Sequence, residues 1–434
     1  MKCDRCGNES DFEAAFIKER KSFHTSKRTL CIKCWSRQKR RFEGTYQVAV
    51  LIGGGVGGLL LWLNPYSGLG EFLVFLFLVN LFLILSIIPH ELGHAIVARM
   101  VGWRVFRIII GIGKAVEKFR LFGFDFEIHV LPVGGITRIA PVDVNWLRTK
   151  RFFVVLAGPA VNVFIAAVIW FFQPDEWLFD RLPLWLHALH LFLIANIVLA
   201  VFNLLPYKNK IYGVGSDGKQ ILKCFFPDKL ETELVLGAYY VLEAELRRDE
   251  GDIAGAREWC ERGITKYPDN LNLLNMQGIL CLATGDYGSA REIFKRLLDR
   301  ETKPGLLRYV LMNNVAYTDA LLEDPQLLPE ADKYSIEAYG ALSSQPAIIG
   351  TRGTVLLMQG KLPEAIQLLT ESFEAHAVAR AKAENACFLA MAYARSGNPE
   401  QGKKFLNIAK ELRSDAQLIS RVEKELNEPS LRAV

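Results

Sequence analysis

His90, Glu91 and His94 lie within Ser86-Ile-Ile-Pro-His-Glu-Leu-Gly-His-Ala, spelling His-Glu-x-x-His. On a helix, residues four apart project from one face, so two neutral imidazoles at this spacing can grip one zinc ion. Zinc lowers the pKa of a bound water towards about 7, and a carboxylate beside it can take the proton and pass it to a leaving amine. That is hydrolytic chemistry. The motif closes a long apolar run that starts near Phe72. Ionisable side chains are costly inside such a run and mark functional sites when they occur there.

Cysteines form a second constellation. Cys3-Asp-Arg-Cys6 and Cys31-Ile-Lys-Cys34 bracket 24 residues. Each CxxC offers two thiolates, and four thiolates close a tetrahedral shell, so a second, structural zinc is expected. The segment resembles a zinc ribbon, and with so little core the metal would supply most of its folding free energy. His24 lies between the pairs as an alternative ligand, although a surface histidine is the simpler reading. The remaining cysteines (Cys224, Cys260, Cys281, Cys387) are scattered singly, as reduced thiols in a cytosol-like compartment are. The basic run Lys39-Arg40-Arg41 precedes an apolar span, so it reads as a membrane-flanking cluster, and nucleic acid is not an expected partner.

These residues must be positioned by elements of two kinds. The 51% hydrophobic content and net charge of +5 over 434 residues conceal a division between an apolar first half and an ordinary soluble second half. The expected fold is mainly α, with domain boundaries at 1–45 (zinc ribbon), 46–227 (membrane helical domain) and 228–434 (helical repeats). Four spans are drawn: Tyr46 to Leu63, Phe72 to about Met100, Phe152 to Phe172, and Leu184 to about Leu205. Pro89 is expected to kink the second. The run Gly53-Gly54-Gly55-Val56-Gly57-Gly58 lacks the Lys-Ser or Lys-Thr of a phosphate loop and suits close helix packing. Met1 leads into a charged, Cys-containing segment rather than a signal peptide. Lysines and arginines gather at the N-terminus and between Arg99 and Arg151, while the short loops at 64–71 and 173–183 hold only Arg181. Both termini are therefore expected on the cytosolic side of a multi-pass protein, and the compact size leans towards a bacterial plasma membrane.

Over roughly residues 72 to 220 the sequence resembles the site-2 protease family of intramembrane zinc metalloproteases. Four elements appear in the family's order: His90-Glu-Leu-Gly-His94, Leu131-Pro-Val-Gly-Gly135, Ala157-Gly-Pro-Ala-Val-Asn162, and Asn203-Leu-Leu-Pro206 followed by Asp217-Gly218. The resemblance implies that Asp217 is the third zinc ligand beside His90 and His94, with Glu91 as general base. In many members the aspartate follows the proline by only a few residues, whereas here Tyr207 to Ser216 intervene. An N-cap of the helix beginning at Gly218 is the alternative role for Asp217. Asn162, an amide inside an apolar span, is a candidate oxyanion donor or substrate grip, and an interhelical hydrogen bond is an equal alternative. Gly134 and Gly135 would let a substrate strand approach, beside an adjacent strand at residues 122–129.

The second half contains repeats. Gly251-Asp-Ile-Ala-Gly-Ala256 recurs 34 residues on as Gly285-Asp-Tyr-Gly-Ser-Ala290, and Ala331 and Ala365 form a further pair at that interval. Ala244, Gly278, Gly353 and Ala390 add small residues at matching points. The pattern resembles tetratricopeptide repeats, about five units with an insertion near 321–329 and a charged final helix. Such solenoids offer a concave surface to peptides or partner proteins. The expected function is an intramembrane zinc endopeptidase that cleaves a transmembrane or membrane-proximal segment of a membrane-protein substrate, with the repeats recruiting or gating it. The alternative is a proteolytically silent membrane scaffold whose repeats bind partners. A metal transporter ranks last, because the spans hold few carboxylates away from the histidines.

Overall fold

The apolar runs of the first half fold as long helices. The computed structural model describes residues 2–7, 16–20, 27–64, 66–172, 184–207, 215–226, 229–302, 305–376, 378–412 and 416–427. His24, Arg181 and residues 208–214 of the loop before Asp217 lie outside these, so readings placed there have no structural description. By packing, the chain divides into two compact units, Lys39–Leu242 and Met1–Gln38 with Glu243–Val434.

A hairpin of β1 (Phe16–Arg20) and β2 (Lys27–Cys31) is followed by α1 (Ile32–Leu63) and α2 (Gly68–Met100). Then come β3 (Arg104–Leu121), β4 (Phe124–Ala140), α3 (Leu147–Phe172), α4 (Leu184–Leu204) and α5 (Asp217–Phe225). Among the described residues three helices are long and apolar enough to cross a membrane: Gly44–Leu63 within α1, α2 and α3. The fourth expected span is α4, and its described apolar stretch, Ala188–Leu204, is shorter than those. The glycine run serves packing: a Cβ on Gly57 would lie 2.9 Å from Gly70 O, and one on Gly54 2.7 Å from Phe77 Cγ.

At 33 residues α2 is about 50 Å long, well beyond the roughly 30 Å of a hydrocarbon core. It continues as helix through Pro89, and apart from Gly70 its buried positions, Ser86, Ile87, His90, Glu91, Gly93, His94, Ala95 and Ala98, gather in its C-terminal part. The metal motif thus sits towards one end of a helix long enough to span before reaching it.

β3 and β4 form more than a simple hairpin. Ile108, Ile109 and Ile110 pair on one side with Thr137, Ile136 and Gly135 and on the other with Phe126, Glu127 and Ile128. Each strand must therefore bend, and Gly111 and Gly113 take φ of 95° and 98° where β3 turns. The segment Gly135–Ala140 becomes an outer edge of this sheet, paired only with β3.

The second half is helical throughout its described residues: α6 (Lys229–Asp249), α7 (Ile253–Lys266), α8 (Leu271–Ala283), α9 (Tyr287–Arg300), α10 (Leu306–Leu322), α11 (Leu328–Leu342), α12 (Pro346–Met358), α13 (Leu362–Ala375), α14 (Ala379–Arg395), α15 (Pro399–Glu411) and α16 (Ala416–Asn427). The Gly-Asp of the repeats now has a cause. Gly251 and Gly285 end a helix at φ of 88° and 77°, and Asp252 and Asp286 then cap the next by accepting from Gly255 N and Ser289 N. Ala256, Ala290, Ala331 and Ala365 are completely buried, and a Cβ on Gly278 would meet the Phe294 ring at 2.5 Å. The longer turn expected near 321–329 runs from Leu322 to Leu328, with Glu323 at φ 53°. Across the repeats Tyr317 of α10 meets Phe388 of α14 at 6.2 Å, and Arg421 of α16 pairs with Glu323.

Candidate metal centre

His90 and His94 leave α2 from one face, and their Nε2 atoms lie 3.3 Å apart. Asp217 Oδ2 is 3.1 Å from His90 Nε2, and its Oδ1 is 3.5 Å from His94 Nε2. Both histidines are buried, at most 8% exposed as residues. Residues 123 and 127 positions apart in sequence are thus gathered at one point.

The route of the aspartate is set by its neighbour. Ser216, not Asp217, caps α5, its Oγ accepting from Lys219 N. The same hydroxyl donates to Leu205 O at 2.6 Å, and Ser216 N donates to Tyr207 O at 2.9 Å. The end of α4 is thereby tied to the start of α5 despite the residues between them. Gly218 completes the approach, because a Cβ there would collide with Leu204 O.

The outer nitrogens of both rings are occupied. Asn162 Nδ2 donates to Ser86 O at 3.1 Å and to Asn196 Oδ1 at 2.7 Å, and Asn196 Nδ2 donates to Phe192 O at 2.9 Å. Asn162 Oδ1 is left as an acceptor, 2.6 Å from His90 Nδ1. His94 Nδ1 faces Val154 O at 2.7 Å, another obligate acceptor. Both imidazoles therefore carry their proton on Nδ1 and aim the Nε2 lone pair inwards. Because both amide hydrogens of Asn162 are committed, it holds His90 and has none to offer an oxyanion in this arrangement.

Glu91 is held as firmly. Thr137 Oγ1 lies 2.6 Å from Glu91 Oε2 and 3.1 Å from Glu91 O. Gly135 packs its backbone on the same carboxylate, and a Cβ there would be 2.6 Å from Oε1. Gly135 thus makes room for Glu91, a use distinct from admitting a substrate strand. Gly158 does the same for the rings: a Cβ on it would overlap His94 Nε2 and lie 2.8 Å from His90 Nε2. The Gly-Pro of α3 is where that helix closes over the site.

This donor set fits zinc. Two imidazole lone pairs and a carboxylate facing one another within 3.5 Å repel unless a proton or a metal cation lies between them, and a zinc ion satisfies all three at once. Tetrahedral zinc with bonds of about 2.0–2.2 Å would space its ligand atoms by roughly 3.3–3.6 Å, close to the separations found. The three donors leave one position open, the pattern of a catalytic site. A cleft of about 280 Å³ opens on them, lined also by Trp103, Ile139, Arg151 and Tyr207.

Cys3, Cys6, Cys31 and Cys34 also converge, with ligand atoms within 4.8 Å of one another. Cys6 Sγ is 3.7 Å from Cys31 Sγ, close to the roughly 3.8 Å between thiolates on one zinc. Burial pushes the Cys31 thiol up to about 11. Burial also opposes the Cys3 thiolate, but backbone N–H groups of Cys31, Arg5 and Cys6 bring it down to about 6.

Three residues escaped the sequence reading: Thr137, Asn196 and Ser216. Each is a common polar residue with no motif of its own, and only its partner gives it meaning. His129 lies beside Glu127 at 3.1 Å, apart from the metal cluster, and His190 is buried.

Residues 76–175 match the family model described as peptidase family M50, so the resemblance to site-2 proteases holds over that segment. Zinc metalloprotease Rip1 of Mycolicibacterium smegmatis is 32% identical over 110 residues, 21% of this chain and 27% of that protein. Rip1 of Mycobacterium tuberculosis is 30% identical over 109 residues, 21% of this chain and 26% of the other. The chain spans less than a third of the length of the curated relatives it matches, from 19% to 31% for the first two. A thermophilic TPR protein from Thermus thermophilus covers 46% of this chain and 99% of itself at 20% identity, with a TM-score of 0.34.

Proposed function

We propose that the chain is a membrane-embedded zinc endopeptidase that cleaves a transmembrane or membrane-proximal segment of another membrane protein. His90, His94 and Asp217 are its metal ligands and Glu91 its general base. The observation that carries this is the convergence of three lone-pair donors beside a carboxylate steadied by Thr137. When bound, zinc would polarise the scissile carbonyl and acidify a water beside it.

The chain's own groups do the rest. Glu91 Oε1, left unengaged by Thr137, takes the proton of the attacking water and returns it to the departing nitrogen. Asn162 Oδ1 and Val154 O keep the imidazole protons on Nδ1 throughout, so the ring faces towards the metal stay basic. The outer edge at Gly135–Ala140, paired on one side with β3, offers backbone groups to an extended substrate, whose unwinding exposes a carbonyl that a helix would hide. The four cysteines hold a structural zinc. In this reading the functional divisions are 1–45, 46–227 and 228–434, with both termini in the cytosol of a bacterial cell and the repeats selecting or restraining the substrate.

The decisive comparison is the membrane proteome of cells expressing the natural protein or Glu91→Gln, read by N-terminal peptide mass spectrometry. A new terminus within or beside a transmembrane segment, present only with Glu91, is expected. Identical termini under varied stresses, with partner proteins still retained by the repeats, would replace the protease with a scaffold.

A further inference from the structure

Three cations share one pocket at the start of α3. It encloses about 300 Å³ and is lined by Arg148, Arg151 and Lys223 beside Trp146, and among its described lining residues there is no carboxylate. Lys150, the other cation of that first stretch of α3, is paired with Asp143 at 3.0 Å and stands outside the lining. Like charges gathered in one pocket raise the local potential and draw an anion to it.

The level of the pocket in a membrane follows from α3. At 26 residues that helix is about 39 Å long, against roughly 30 Å of hydrocarbon. Arg148, Lys150 and Arg151 crowd its N-terminal end, and such charges belong in the headgroup layer beyond the hydrocarbon. α5 joins α3 at that level, since the Phe225 and Phe152 rings have centroids 5.8 Å apart. Leu222, Phe225 and Phe226, the last at the C-cap of α5, are 46%, 64% and 78% exposed, and Trp146 is 78% exposed. Bare aromatic and aliphatic groups beside lysines and arginines at the end of a span are the composition of the membrane–water interface.

We propose that this pocket binds the headgroup of an anionic phospholipid, its phosphate among Arg148, Arg151 and Lys223 and its acyl chains alongside Leu222, Phe225 and Phe226. The assignment to a lipid, rather than to a free phosphate or a protein, follows from the exposed apolar groups and from the ring contact with a helix long enough to span. Two features tie the site to the metal centre. Arg151 also lines the metal cleft, and α5 begins at Asp217, so a lipid held here would steady the helix that delivers the third ligand. The proposal goes beyond the endopeptidase reading and shares with it only the membrane-spanning α3.

The test uses the full-length protein in vesicles of equal parts phosphatidylcholine and phosphatidylglycerol. The photoreactive p-benzoylphenylalanine replaces Phe226 or, in two companion proteins, Phe164 or Ile336. Phe164 is 67% exposed within α3, and Ile336 is 51% exposed on α11 of the repeats. After illumination, mass spectrometry should find intact phospholipid attached at positions 226 and 164 and none at 336. At 226 phosphatidylglycerol should predominate, and Arg148→Gln and Lys223→Gln should each lower that preference about fivefold. Three outcomes overturn the proposal: crosslinks to protein alone at 226, capture there in the proportions of the vesicle, or a preference that neither variant moves. Equal capture at 336 also overturns it, as adventitious contact with the vesicle. If position 164 captures no lipid either, the membrane reading fails first and the inference with it.

Discussion

Gly158 shows how narrowly the site is drawn at the scale of a residue. The α3 backbone passes so close to both imidazoles that a single methyl group would occupy space taken by His94 Nε2. Gly158→Ala should therefore displace the rings, cost the protein its catalytic zinc and abolish cleavage. Metal analysis should fall from two zinc ions per chain towards one. Thr137 acts more gently. Its hydroxyl bonds a carboxylate, and such charge-assisted bonds contribute about 1.5–3 kcal/mol. Thr137→Val should lower kcat about tenfold or more with zinc content intact, and Thr137→Ser should recover most of the loss. Equal rates for the Val variant and the natural protein would mean that Glu91 is oriented by packing alone.

At the scale of elements, the site depends on where four helices meet. α2 supplies the motif, α3 encloses it, and the chain Asn162–Asn196 joins α2, α3 and α4 through hydrogen bonds of 2.6 to 3.1 Å. Losing the partner that orients a metal-bound imidazole typically weakens metal binding 10- to 100-fold. Asn162→Ala is expected to fall in that range in a competitive zinc titration, with Asn196→Ala weaker in effect because it acts one bond further away. An unchanged affinity in Asn162→Ala would reduce the network to interhelical packing. α5 contributes by its start alone: Ser216 caps it and Gly218 lets it abut Leu204 O, which fixes the depth at which Asp217 enters.

At the scale of the whole molecule, the cysteine cluster and the repeats stand on different physics. Among the described residues of the first 40, the buried cluster is Cys3, Leu30, Cys31 and Cys34, so the fold of this segment should follow its metal. The repeats have large apolar cores of their own, one around Phe294 and Leu311 and another around Phe388 and Leu389, and need none. Cys31→Ser in the full chain should lose one zinc ion and open the N-terminal segment to limited proteolysis. The fragment carrying the repeats should keep its resistance. Cleavage spreading at the same rate into the repeats would show that the cluster supports more than its own segment.

The sequence alone disclosed the paired histidines, the two CxxC pairs, the long apolar helices and the helical repeats, whereas Asp217 entered only through the family resemblance and meets the histidines only in the fold. Those features rest on local rules: a spacing of four on a helix, two thiols per knuckle, some twenty apolar residues for a bilayer, and a capped turn every 34 residues. Residue identity did not disclose what Asn162 does, because an amide in an apolar span has several ways to be satisfied. Only the fold, by spending its hydrogens on Ser86 and Asn196, turned it towards His90. The same holds for Thr137, which lies 46 residues from Glu91 in sequence and 2.6 Å from its carboxylate in space. Hydrogen-bond partners far apart in sequence are set by tertiary packing, which no local rule encodes.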